Sequence, residues 1–193
     1  MMTARRSMMA AGLLALGLAG CTNTQGPASA GTSTGTTAAR INQEVDAALS
    51  QLYQTRPGAR QLAEQAEAVL VFPNVTQAGL GIGGLYGNGA MRENGRTVGY
   101  YNIAGGTFGW QIGAQSFSQA YFFNTPEALE TFRKTRGFEV GAGATAVAAD
   151  FGADGSITTS SLQKPVVTAT WGQSGLMAGL NLEGIKITEI NPD

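Results

Sequence analysis

Val69-Leu-Val-Phe-Pro-Asn-Val-Thr-Gln-Ala-Gly-Leu-Gly-Ile-Gly-Gly-Leu-Tyr-Gly-Asn-Gly89 is the stretch on which the fold turns. Val69–Phe72 is a short apolar run of the buried-strand kind, and Pro73-Asn74 is its expected end. The chain then alternates, and glycine takes every second position at Gly79, Gly81 and Gly83. A strand with no side chains on one face must either accept a closely packed neighbour there or bend sharply. Asn88-Gly89 closes the stretch with a pair that tolerates the positive φ of a tight hairpin turn.

Outward from this stretch the same pattern continues to the C-terminus. Asn94-Gly95 and Asp154-Gly155 are further hairpin signals. Between the turns, strands are expected at Ala78–Tyr86, Thr97–Ala104, Phe108–Phe117, Gln119–Phe123, Val140–Phe151, Ser156–Leu162, Val166–Trp171, Gly175–Leu182 and Ile185–Ile190. One helix interrupts them: Thr125 caps it, Pro126 suits its first position, and Leu129 and Phe132 point inward before Arg133-Lys134 at its C-terminal end. The aromatic residues Tyr100, Tyr101, Trp110, Tyr121, Phe122, Phe123 and Trp171 are read as core and cross-strand pairs. The fold class is mainly β with a few short helices (α+β). Its sheet is expected to be curved and antiparallel, barrel-like or a sandwich.

Upstream, Ile41, Val45, Ala48, Leu49 and Leu52 form one apolar helical stripe, with Glu44 and Asp46 placed in its first turns. Arg56-Pro57-Gly58 breaks it. A second helix follows with Leu62, Ala63 and Ala66 inward and Arg60, Glu64 and Glu67 outward.

The N-terminus has another character. Arg5 and Arg6 precede a charge-free run from Met8 to Leu18, then Leu18-Ala-Gly-Cys21. That order is a secretory signal, and the run falls short of the about 20 residues a membrane-spanning helix needs. Leu-Ala-Gly-Cys resembles a lipobox, in which the cysteine is acylated and becomes the mature N-terminus. Cys21 is the only cysteine. Acylation there leaves no thiol for disulfides, metal or catalysis, and at about 0.8 kcal/mol per buried CH₂ the chains hold the protein firmly in a membrane. Thr22 in place of aspartate favours the periplasmic face of the outer membrane. Residues 22–39 contain neither charge nor a large apolar side chain and read as a flexible tether. The organisation is therefore a signal peptide over 1–20, a lipidated tether over 21–39 and one domain over 40–193.

Composition excludes several functions. Removing Arg5 and Arg6 leaves 10 of the 12 lysines and arginines against 13 acids, a net charge of −3. No basic surplus points to nucleic acid. The chain has no histidine, which removes the commonest general base and metal ligand. Gly79-Leu-Gly81-Ile-Gly83-Gly84 matches G-x-G-x-x-G, but Leu-Tyr-Gly-Asn-Gly after it cannot start the helix that nucleotide binding requires. Asp154 belongs to a turn, and with Asp150 it makes no acid/base pair. No metal, cofactor or catalytic residue is expected, and the chain is read as a non-enzyme.

Four stretches together resemble the SYLF family of lipid-binding domains. They are Ala68–Gly79 with Gly83-Gly-Leu-Tyr-Gly-Asn-Gly89, Gly105-Gly-Thr-Phe-Gly-Trp-Gln-Ile-Gly-Ala-Gln-Ser116, Gly143-Ala-Thr-Ala146, and Ser174-Gly-Leu-Met-Ala-Gly-Leu-Asn-Leu-Glu-Gly184. The resemblance implies membrane-lipid association without a known reaction or cofactor. Eukaryotic members look like phosphoinositide binders, some also engaging actin. Basic residues tend to precede the last motif in those relatives, where Trp171-Gly172-Gln173 stands here. The function expected is a domain that binds membrane phospholipid, the alternative being a scaffold for an envelope protein. Candidate lipid contacts are Leu80, Ile82, Leu85 and Tyr86 beside the glycine face, and the basic group Arg133, Lys134 and Arg136.

Overall fold

Apolar stripes and two cap residues set the helices. In a computed structural model, residues 37–135, 137–140, 146–172 and 184–193 are described, with side chains except at 80–81, 107–113 and 137–140. Helix α1 runs Ala38–Thr55 and α2 Pro57–Gln65. Thr37 caps α1 by accepting the Arg40 N–H at 3.4 Å, so the helix starts inside the stretch read as tether. Glu44 and Asp46 consequently lie beyond its first turn, which holds no acid. Ile41, Val45, Ala48 and Leu52 are buried, as the stripe requires. Arg60, Glu64 and Glu67 of the second helical stretch face solvent.

Two long strands, β1 (Ala68–Glu93) and β2 (Arg96–Phe123), pair along their whole length from Ala68↔Phe123 to Glu93↔Arg96. The turn joining them is Asn94-Gly95, both at positive φ, 50° and 76°. Five expected strands, Val69–Phe72 included, are thus pieces of one hairpin. Pro73-Asn74 does not end β1: the strand passes it through a register shift between Phe72 and Val75. Proline is tolerated there because β1 is an edge strand, with an unpaired side for the missing N–H.

A straight strand of 26 residues would span about 85 Å, several times the radius of a domain this size. The hairpin therefore doubles back, and the glycines are where it does so. A Cβ on Gly79 would lie 2.5 Å from Gly83 Cα and 2.8 Å from the Ile82 carbonyl oxygen, beside a register shift between Leu80 and Ile82. Beyond the bend the second arm of β1 lies on the first. A Cβ on Gly87 would stand 2.9 Å from the Asn74 carbonyl oxygen, and one on Gly89 would run into the Val71 carbonyl. Asn88-Gly89 is therefore not a turn. Both residues pair within β1, with Asn102 and Tyr101. Glycine is present there for close approach of backbones, not for its φ.

The remaining elements complete a curled half-barrel, α+β and mainly β. They are α3 (Pro126–Lys134), β3 (Gly137–Val140), β4 (Ala146–Ala148), α4 (Thr159–Leu162), β5 (Val166–Trp171) and β6 (Ile185–Ile190). β5 and β6 pair with opposite ends of β2, β3 pairs with β6, and β4 with β5. The β4–β5 pair is parallel, so the sheet is mixed where an antiparallel one was expected. Ser156–Leu162 is not a strand: only Ile157 bridges to Phe151, and Thr159–Leu162 is helical. The expected strand at Val140–Phe151 lies partly outside the described residues; within them, Val140 belongs to β3 and Ala146–Ala148 to β4. The expected strand at Gly175–Leu182, like Cys21 and Arg136, lies outside the described residues. No helix among those residues is long and apolar enough to cross a membrane.

Two cores result from strand alternation. The inner one holds Leu70, Phe72, Leu85, Met91, Tyr101, Ile103, Tyr121 and Phe123, covered by Leu129 and Phe132 of α3. The outer one joins Val69, Val71, Ala90, Ala120, Phe122 and Trp171 to the apolar stripe of α1 and to Leu62 of α2. The α1–α2 corner is locked against the Asp154-Gly155 turn, where the Gly58 N–H donates to the Gly155 carbonyl at 2.9 Å. A Cβ on Gly58 would sit 2.7 Å from the Ser156 carbonyl carbon, and backbone cannot yield as a side chain can. Gly58→Ala should cost about 1–3 kcal/mol in chemical denaturation. An unchanged midpoint would show that the corner is not locked.

Candidate functional site

Large apolar side chains left in water are the first place to seek a contact surface. Ile82 is 72 % exposed, Tyr86 58 % and Val98 51 %. Ile82 and Tyr86 lie on the outer face of the bend, separated by exposed Gly84. Gly84 pairs with Gly106 and Tyr86 with Ala104. A Cβ on Gly106 would meet nothing within 4 Å, so this part of the sheet is a bare shelf with Ile82 and Tyr86 at its ends. Below Tyr86, its hydroxyl donates to Asn88 Oδ1 at 3.3 Å. Asn102 Nδ2 donates to the Gly87 carbonyl at 2.8 Å and to Asn88 Oδ1 at 3.0 Å. These bonds tie the Tyr86 end of the shelf to β2. Lys186, exposed on β6, continues the Tyr86–Ala104 row.

Leu85 does not join them. It points inward and is buried in the inner core, because neighbours in a strand face opposite sides. Leu80 occupies the strand beside Ile82, opposite Ile112. The glycine face itself is closed at Gly79, where a Cβ would meet the backbone of Ile82 and Gly83.

Two members of the basic group, Arg133 and Lys134, are paired with acids. Arg133 is ion-paired with Glu93 of the hairpin, and Lys134 with Glu130 one turn earlier at 2.7 Å. The bond and charge from Lys134 hold the Glu130 carboxyl below its usual range. Such exposed pairs contribute little to stability, but each sets a carboxylate beside the cation that an anionic ligand would meet. A polar lattice that no sequence pattern announces ties α1 to the hairpin end. Asn42 Nδ2 donates to the Tyr100 hydroxyl at 2.9 Å, and Thr97 donates to Asn42 Oδ1 at 2.7 Å. Arg92 donates to Thr97, to the Asn42 carbonyl and to Asp46.

Burial pushes the Tyr121 hydroxyl well above its ordinary range and keeps it protonated in the inner core. Among the described residues, no three of His, Cys, Asp and Glu approach closely enough to share a metal ion. The glycine pattern from Gly79 to Gly84 lies wholly within β1 and starts no helix.

Residues 104–192 match the family model of Ysc84, described as Las17-binding protein actin regulator. That match is consistent with a SYLF-domain family. The SYLF match begins midway along β2, so three of the four resembling stretches fall inside it and the bend of β1 precedes it. The matched residues nevertheless need β1, which pairs with every part of their first strand. No curated protein matches the chain.

Proposed function

We propose that the protein is a non-enzymatic lipoprotein of the cell envelope whose SYLF domain binds membrane phospholipid. Acyl chains on Cys21 hold it at the periplasmic face of the outer membrane, and Ile82 and Tyr86 make the domain's lipid contact. The observation that carries this reading is the bare shelf: an apolar pair presented to water on a face without a fixed charge between them. The family resemblance supplies the class of ligand, and the lipobox supplies the location.

This reading favours contact through apolar side chains, so headgroup and salt should matter little. Residues 37–193, which keep the Thr37 cap, should co-sediment with phosphatidylethanolamine vesicles as well as with phosphatidylglycerol ones, at low and high salt. Burying Ile or Tyr contributes about 1.5–3 kcal/mol each. Ile82→Ser with Tyr86→Ser should therefore lower binding at least about tenfold, while Arg133→Ala with Lys134→Ala should leave it within about twofold. A domain that ignores vesicles of every composition ends the lipid reading. The second reading is then a scaffold that binds an envelope protein, favoured because the family's description names a protein partner. Cross-linking at Ile82 would test it.

A further inference from the structure

Gln119 of β2 is 0 % exposed, and among the described residues neither its Oε1 nor its Nε2 has a hydrogen-bond partner. Alternation fixes its direction. Phe117, Tyr121 and Phe123 belong to the inner core, Ala120 and Phe122 to the outer one, so Gln119 points inward with the first set. A buried amide is nearly always bonded to protein or to a bound molecule, because a bare one forfeits the hydrogen bonds it made in water.

Strand pairing sets its surroundings. Gln119 stands between Phe72 of β1 and Thr170 of β5, and Tyr121 between Leu70 and Thr168. Gln119, Tyr121, Thr168 and Thr170 therefore form a block of hydrogen-bonding side chains on one face of the sheet. Phe72 and Tyr121 meet edge-on at 6.2 Å and wall it on the β1 side. On a face otherwise filled by Phe72, Phe117 and Phe123, the two threonines are the small members beside the amide. The same face continues past Val75 and Phe117 to Gln77 and the half-exposed Gln115, whose Nε2 donates to Gln77 Oε1 at 3.4 Å.

The chemistry of an occupant follows. An amide has two donors and two acceptor positions, and each hydroxyl both donates and accepts. The buried polar residues among those described are Gln77, Ser118, Gln119, Ser161 and Thr168, and none is ionisable. Burial also keeps Tyr121 protonated. An ion would lose its hydration there and find no counter-charge. An apolar group would leave the amide bare. A small neutral group that donates and accepts meets both demands.

We propose that Gln119, with Tyr121, Thr168 and Thr170 around it, holds a small neutral hydroxyl compound inside the half-barrel, its oxygen bonded to the Gln119 amide. Water and short alcohols share that chemistry. The site is independent of lipid on Cys21 and of the Ile82–Tyr86 shelf. Its effect is to join β2 to β5 through side chains in addition to their backbone ladder.

The full chain would be crystallised without alcohols at a resolution that shows water, and a second crystal soaked in glycerol. The unsoaked crystal should show ordered density about 3 Å from Gln119 Oε1 or Nε2. Density of the same size in the soaked crystal makes water the occupant. Density that grows to fit glycerol makes the site one for alcohols, provided that glycerol also raises the urea midpoint of the parent more than that of Gln119→Met. That variant keeps the side chain's length and removes its amide. Glycerol seen without such a difference is binding at crystal concentration only, and water is again the occupant. An amide with no density beside it in either crystal overturns the inference, and so does a Gln119 amide bonded only to protein atoms. These outcomes are read from the parent chain, so they stand even where Gln119→Met fails to fold.

Discussion

Gly89→Ala should destabilise the domain severely. Its added methyl would be driven into the Val71 carbonyl and would lie 2.7 Å from Phe72 Cδ1 and 2.9 Å from the Val71 carbonyl carbon. The ring could turn, but the backbone of the first arm is fixed by its pairing with Ala120 and Gln119 of β2. The arms must then separate, opening the inner core at Leu70 and Phe72 on one side and Met91 on the other. A loss of about 3 kcal/mol or more is expected, a large part of the 5–15 kcal/mol typical of a folded domain. Gly106→Ala is the control, since its Cβ position is empty and it should fall within about 0.5 kcal/mol of the parent. Equal urea midpoints for the two variants would mean that the arms of β1 do not touch.

The second large effect is expected at Phe132. It is 1 % exposed and is the residue by which α3 closes the inner core. Its ring lies 5.1 Å from that of Tyr101 and 5.0 Å from that of Phe123, both tilted by about 50°. These two rings come from opposite ends of β2, so Phe132 bridges the two arms of the hairpin. Truncation to alanine leaves a cavity between parts that pack against one another from both sides and cannot easily collapse. Phe132→Ala should cost about 3–5 kcal/mol, lowering the melting temperature by roughly 8–15 °C for a domain of this length. It should also release Arg133 from Glu93. A decrease of less than about 1 kcal/mol would show that α3 is not part of the core.

Much of the fold was legible because its signals are local. The stripe from Ile41 to Leu52 and the Thr125–Pro126 start of α3 lie within single elements, and the structure shows both. β5 and β6 have the expected bounds. What escaped depends on residues far apart. Asn88-Gly89 and Asn94-Gly95 carry the same dipeptide, and only packing against Val71 distinguishes the strand position from the turn. The glycine alternation correctly announced a bend, yet could not say that the strand would fold onto itself. Of the candidate contacts, the structure exposes Ile82 and Tyr86 and buries Leu85, which alternation already forbids from sharing a face with Tyr86. The Lys134–Glu130 pair was likewise readable at helical spacing, whereas Arg133 meets Glu93 only through the tertiary fold.

The register of the β1–β2 hairpin also dictates how the domain can assemble. Its pairs run from near neighbours at Glu93–Arg96 to residues far apart at Ala68–Phe123, with each pair preparing the next. Once Asn94-Gly95 has turned, every later pairing closes only a small additional loop, although the finished contacts are highly non-local. The sheet can zip from its tip in steps that are individually cheap. The event that must wait is the collapse of one arm on the other at Gly87 and Gly89, which needs both halves of the zipper already in register. That collapse therefore follows strand pairing in the order of assembly. It also removes the young hairpin's long edge from the reach of other chains.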